Sequence, residues 1–120
     1  MKYTDGYKSL NVYKKADELV FAIYTVTKEF PRSELFGLIS QIRRASVSIV
    51  ANLVEGWARK TKPDKTRMYY ISRGSLTEVE YYIDLSRRLE YIDENKYILL
   101  ENLRTDVARL LNGLINSMEK

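Results

Sequence analysis

Apolar residues recur along this chain at intervals of three and four, the spacing of a helix that buries one side. Val12, Ala16, Leu19, Ile23, Val26 and Phe30 predict a first helix over about 9–29. Pro31 stops it, and Ser33 is the candidate N-cap of the next. The second helix is predicted over about 34–58, with Gly56 near its end as a plausible terminator. Arg59 to Asp64 reads as a polar, basic linker in which Pro63 breaks any continuous helix. The third helix, about 65–91, shows Ile71, Ser75, Glu78, Tyr82, Leu85 and Leu89 as its inward stripe. Asp93, Glu94 and Asn95 make a short turn and cap. The fourth helix, about 95–118, shows Leu100, Leu103, Val107, Leu110 and Leu114. Strand signals, repeats and low-complexity segments are absent. Four amphipathic helices with short connections predict an all-α fold, an antiparallel up-down-up-down four-helix bundle, with residues 1–120 as one domain.

The second helix departs from an ordinary surface helix. Leu38, Ile42, Ala45, Ile49 and Leu53 form its apolar stripe. Gln41, Arg44, Ser48, Asn52 and Glu55 form a polar stripe beside that one, since each residue turns the helix by ~100°. Glu78 lies inside the apolar stripe of the third helix. A carboxylate there must be paired, hydrogen-bonded or protonated, and Arg44 is its obvious partner. The expectation is one connected polar cluster of Gln41, Arg44, Ser48, Asn52, Glu55, Ser75 and Glu78. The plainer alternative leaves Glu78 at a groove or subunit interface where water remains.

Charge adds a second feature. The net charge is +4, and residues 41–73 hold eight basic side chains against only Glu55 and Asp64. The rest of the chain is slightly acidic, so the whole surplus lies in one third of the sequence. Such asymmetry points to an acidic partner, nucleic acid first, although an ordinary solvated surface also accommodates it. Arg43, Arg59, Lys60, Lys62, Lys65, Arg67 and Arg73 are the candidate phosphate contacts. Tyr69 and Tyr70 could stack on unpaired bases, while tyrosines in bundles more often fill interfaces. No run of about 18 apolar residues occurs, which argues against a membrane span. Met1 to Tyr7 lacks the apolar core of a signal peptide, and the chain has no cysteine. A cytoplasmic location is expected.

The order of separated motifs resembles a known family. They are Leu10, Val12, Tyr13 and Ala16; Tyr24, Thr27, Phe30, Pro31, Glu34, Gly37 and Leu38; Gln41 to Ala45 with Ser48, Ile49, Asn52, Glu55 and Gly56; Gly74, Ser75, Leu76, Glu78 and Glu80; and Leu89, Tyr91 and Ile92. Together they resemble the small four-helix-bundle proteins encoded inside intervening sequences of bacterial 23S ribosomal RNA genes. Trp57, Ala58 and Arg59 depart from the pattern, where small residues are commoner. The resemblance implies a homo-oligomer, expected to be a ring-shaped homopentamer. It also implies similarity to the pentameric accessory proteins of diversity-generating retroelements, which bind nucleic acid and a reverse transcriptase. No catalytic residue is carried over.

An enzyme is not expected. Without histidine or cysteine, His-based acid–base catalysis, Cys nucleophiles and Glu-x-x-His di-iron sites are ruled out. Glu55 and Glu78 could form a carboxylate pair, but Arg44 beside them disfavours a cation, so no metal or cofactor is expected. Two binding readings stay open. One is an oligomer that holds RNA electrostatically. The other is an oligomeric scaffold for a protein partner such as a reverse transcriptase. Trp57, Tyr13, Tyr69 and Tyr81 are the surface aromatics expected at protein interfaces.

Overall fold

A computed structural model describes residues 6–120. Of the stretch read above for a signal segment, residues 1–5 lie outside the described residues. A short 3-10 helix, Gly6–Ser9, precedes α1 (Asn11–Thr27). A second 3-10 turn, Arg32–Glu34, leads into α2 (Leu38–Ala58). Then come α3 (Lys62–Arg88) and α4 (Glu94–Glu119). Each helix packs against two neighbours, and α1 against α4 closes the bundle.

Contacts between helix ends give the direction of each element. Arg43 near the start of α2 reaches Thr27 at the end of α1. Gly56 near the end of α2 meets Met68 and Tyr69 near the start of α3. Tyr70 in α3 bonds to Glu119 at the end of α4, and Lys96 near the start of α4 bonds to Glu29 just past α1. Every neighbouring pair is therefore antiparallel, as the short connections predict.

The inward stripes of α1 and α2 are those predicted. Leu19, Ile23, Ile42, Ile49 and Leu53 are 0–1% exposed, each contributing roughly 1.5–3 kcal/mol by burial. The stripe of α3 is displaced. Its core face is Met68, Tyr69, Ser72, Ser75, Leu76, Val79, Ile83 and Ser86, while Ile71, Glu78 and Leu89 are exposed. Serines replace apolar residues on this face and so mask its period. Ser72 donates to the carbonyl of Ile49 across the α2–α3 contact at 2.8 Å, and Ser86 donates to the carbonyl of Tyr82 at 2.7 Å. Their small, satisfied side chains fit where helices approach closely. In α4 the fully buried residues are Leu100, Val107, Leu111 and Ile115. Leu103, Leu110 and Leu114 are only partly buried.

Two end signals also differ from the reading above. Ser33 caps nothing; it sits in the 3-10 turn, and the carboxylate of Glu34 accepts from the Leu38 N–H at 3.2 Å. Pro63 starts α3 rather than separating helices. Thr61 accepts from the Asp64 N–H, and a proline in the first turn lacks only an N–H that would have no helical partner there. The linker shrinks to Arg59, Lys60 and Thr61. Asp93 is the N-cap of α4, accepting from the Lys96 N–H at 2.8 Å.

Candidate nucleic-acid interface

The antiparallel topology gathers the end of α2, the start of α3 and the end of α4 at one end of the bundle. Arg59, Lys60, Lys62, Lys65 and Arg67 fall there within nine residues. Two of the five are engaged. Arg59 pairs with Glu55 at 2.8 Å, and the Lys65 ammonium donates to the Trp57 carbonyl at 2.6 Å. A cation at that carbonyl caps the negative end of the α2 dipole, so Lys65 has a local structural task. Lys60, Lys62 and Arg67 are exposed and form no ion pair among the described residues. They are the side chains free to meet phosphate.

The other predicted contacts sit apart. Arg43 lies about 24 Å from Arg59 along α2. Its Nε donates to Thr27 Oγ1 at 2.9 Å, and its guanidinium covers the Tyr24 ring at 4.5 Å. It is half-buried and fastens α2 to α1, so it does not belong to the basic end. Arg73 lies about 9 Å further along α3 than Arg67. It covers the Tyr70 ring at 4.6 Å and donates to Asn112 at 3.2 Å.

The tyrosines part company as well. Tyr69 is 3% exposed and packs on Gly56, so it is neither a stacking platform nor a surface aromatic. Burial raises its phenol pKa above the usual tyrosine range. Tyr70 is exposed. Its hydroxyl donates to Glu119 at 2.7 Å, and that bond, which favours the neutral phenol, raises its pKa. Trp57 and Tyr81 are exposed, and Tyr13 is half-buried.

The predicted polar cluster contracts to three members. Ser48 and Ser75 share a hydrogen bond of 2.8 Å, and Asn52 Nδ2 donates to Ser48 Oγ at 3.0 Å and to its carbonyl at 2.8 Å. Glu55 turns to Arg59 instead. Gln41, Arg44 and Glu78 are exposed, and no bond joins Arg44 to Glu78 among the described residues. The cause is the displaced face of α3. With Leu76 and Val79 inward, Glu78 turns outward and needs no buried partner. Among the described residues, no three His, Cys, Asp or Glu side chains converge in a way that could hold a metal ion. No helix among them is long and apolar enough to cross a membrane.

One feature escaped sequence reasoning. A shallow cavity of about 480 Å³ lies against the basic end, lined by Lys62, Pro63, Thr66, Arg67, Tyr70, Met118 and Glu119. Its far wall comes from the end of α4, about fifty residues away in sequence. The nearly equal lengths of α3 and α4, 27 and 26 residues, were the available signal that these ends meet.

Residues 8–113 match the family of the 23S rRNA-intervening sequence protein. The chain belongs to that family. A crystal structure of a protein of unknown function from the S23 ribosomal protein family, from Bacteroides thetaiotaomicron VPI-5482, is similar to it. The two share 28% identity with a TM-score of 0.80, over 87% of this chain and 97% of that one. No curated protein matches. For this 23S rRNA-intervening sequence family member, the matched span contains the whole basic linker. It stops before Met118 and Glu119, so one wall of the cavity lies outside it.

Proposed function

We propose that this protein is a non-enzymatic, cytoplasmic homo-oligomer that binds RNA electrostatically through the basic end of its bundle. The observation that carries the reading is the set of exposed cations, Lys60, Lys62 and Arg67, projecting from one helix junction without acidic partners. Unpaired cations at the exposed surface of a helix junction can take up phosphates at no cost to the core, and binding of this kind tolerates many sequences. The family's association with 23S rRNA intervening sequences makes RNA the first polyanion to test.

Self-association is supported by apolar surface away from the basic end, at two places. Phe21 is 69% exposed and Phe36 92% exposed. Phe21 also lines an apolar groove with Val20, Tyr24 and Val47. Exposed patches of this kind mark contact sites. A homopentamer is the form the family resemblance suggests, and cyclic repetition would let weak RNA sites act together. The same surface also favours the second reading, a scaffold for a protein partner such as a reverse transcriptase.

The test is charge reversal of Lys60, Lys62 and Arg67 to Glu. Lys65 is left in place because it caps α2. Wild-type protein should bind RNA with an affinity that falls steeply with salt. The variant should lose binding while keeping its helical signal and its mass in light scattering. Unchanged affinity and salt slope would leave the scaffold as the better reading, and a monomeric mass for the wild type would remove the oligomer.

A further inference from the structure

We propose that the cavity between the start of α3 and the end of α4 receives one unstacked base of a single-stranded RNA, with the adjoining phosphates on Lys62 and Arg67. The inference rests on the RNA-binding reading above and names the form of RNA that this end selects. The cavity, about 480 Å³, falls within the size range of small-ligand sites. Its walls are divided in chemistry. Pro63, Tyr70 and Met118 supply apolar and aromatic surface, and Lys62 and Arg67 supply positive charge. That is the division within a nucleotide, a flat base attached to an anionic phosphate.

Tyr70 is held ready as a platform. Its hydroxyl is fixed by Glu119 at 2.7 Å, and the Arg73 guanidinium sits over its ring at 4.6 Å without lining the cavity. A ring already fixed from two sides loses little freedom when a base stacks on it. Met118 opposite is flexible and polarisable, suited to bases of differing shape.

Glu119 sets the orientation. A carboxylate in the wall repels phosphate, which directs the backbone to the Lys62 and Arg67 side. Oε2 of Glu119 accepts from Tyr70, while Oε1 has no partner among the described residues. That oxygen can accept from the N–H groups on the Watson–Crick edge of a base. In a duplex those edges are occupied and the faces are stacked, so a duplex reaches only the cations. Single strands should therefore bind more tightly than duplexes.

Fluorescence anisotropy with a labelled oligoribonucleotide, alone and annealed to its complement, tests this at low salt. Wild type should favour the single strand by about tenfold, the effect of one stacked base. Tyr70→Leu should bring single-strand affinity down to the duplex level and leave duplex affinity unchanged. Tyr70→Phe, which keeps the ring, should retain the preference. If Tyr70→Leu loses its helical signal, Thr66→Leu, which narrows the cavity without adding a ring, replaces it with the same expected loss. Equal wild-type affinity for both forms overturns the cavity proposal and leaves the electrostatic reading intact, as does an equal loss for both forms in Tyr70→Leu. Binding of neither form overturns both.

Discussion

At the end of the bundle where α1 stops and α4 begins, basic and acidic side chains are interspersed; Lys28 and Arg32 have no ion pair among the described residues, but three other cations do. Arg87 pairs with Glu94 at 2.7 Å, Arg88 with Asp84 at 3.0 Å and Lys96 with Glu29 at 3.1 Å. Tyr91 donates to Glu34, whose other oxygen accepts from the Leu38 N–H. At the opposite end, Lys60, Lys62 and Arg67 project with no such partners. Both ends are helix junctions of the same antiparallel bundle, so the fold does not require the difference. Exposed ion pairs contribute only about 0–1 kcal/mol each, and a folded chain loses little by leaving cations unpaired. What distinguishes the ends is the balance of charge: Glu29, Glu34, Glu90, Asp93 and Glu94 offset the cations at the first, whereas Lys60, Lys62 and Arg67 stand beside a single aspartate, Asp64, in their own stretch of chain.

The largest expected effect breaks this comparison directly. Arg87, Arg88 and Lys96 changed to Glu at the paired end should leave RNA affinity nearly unchanged, whereas the same reversal of Lys60, Lys62 and Arg67 should abolish it. The paired-end variant should instead lower stability, by about 1–2 kcal/mol in urea titration, because three exposed pairs become repulsive. Equal loss of RNA binding from both variants would mean that overall charge, not its placement, governs binding.

A smaller effect sharpens what holds the basic end in place. A Cβ at Gly56 would lie 2.6 Å from Cε1 of Tyr69, a ring that is 3% exposed and has little room to move. Overpacking of this kind costs about 1–3 kcal/mol, against about 1 kcal/mol gained when a helical glycine is replaced. Gly56→Ala should therefore destabilise the protein by about 1 kcal/mol net, read from the denaturation midpoint. An increase in the midpoint would show that the α2–α3 contact is looser than this geometry.

The smallest effect separates a structural arginine from the basic end. Arg43→Ala removes the bond to Thr27 and the cover on Tyr24. It should cost up to about 1 kcal/mol of stability and leave RNA affinity and its salt slope unchanged. A reduced salt slope would return Arg43 to the binding surface.

How far the chain was legible follows from which residues carry the pattern. In α1 and α2 most core positions are aliphatic, and buried Thr27, Ser46 and Gly56 do not interrupt the spacing, so their stripes could be read from spacing alone. In α3 the core face includes Ser72 and Ser86, which burial treats as core and a hydropathy pattern treats as surface; of the polar residues in the expected stripe, Ser75 is buried and Glu78 is not. The apparent stripe therefore slipped, and Glu78 was drawn inward with it. That slip produced the expectation of a buried Arg44–Glu78 pair. The cations of the linker were legible because they are contiguous. The cavity beside them was not, because Tyr70 and Glu119 meet only through the return of α4. Tyr69 and Tyr70 are adjacent in sequence, yet one is core and the other surface. The ~100° turn between neighbouring residues decides that, and composition does not.

The shape of the body adds a consequence for how this charge acts at a distance. The molecule measures 43 × 30 × 25 Å. At physiological ionic strength the Debye length is about 8 Å, several times shorter than the long axis. A ligand at the paired end is therefore screened from the cations at the other, and each end keeps its own potential. If the proposed RNA binding holds, a polyanion approaching from solution should be attracted most strongly over the basic tip, which would turn the long axis toward it before contact. The association rate constant should then fall with ionic strength more steeply than the dissociation rate constant rises, the kinetic mark of steering by a localised charge.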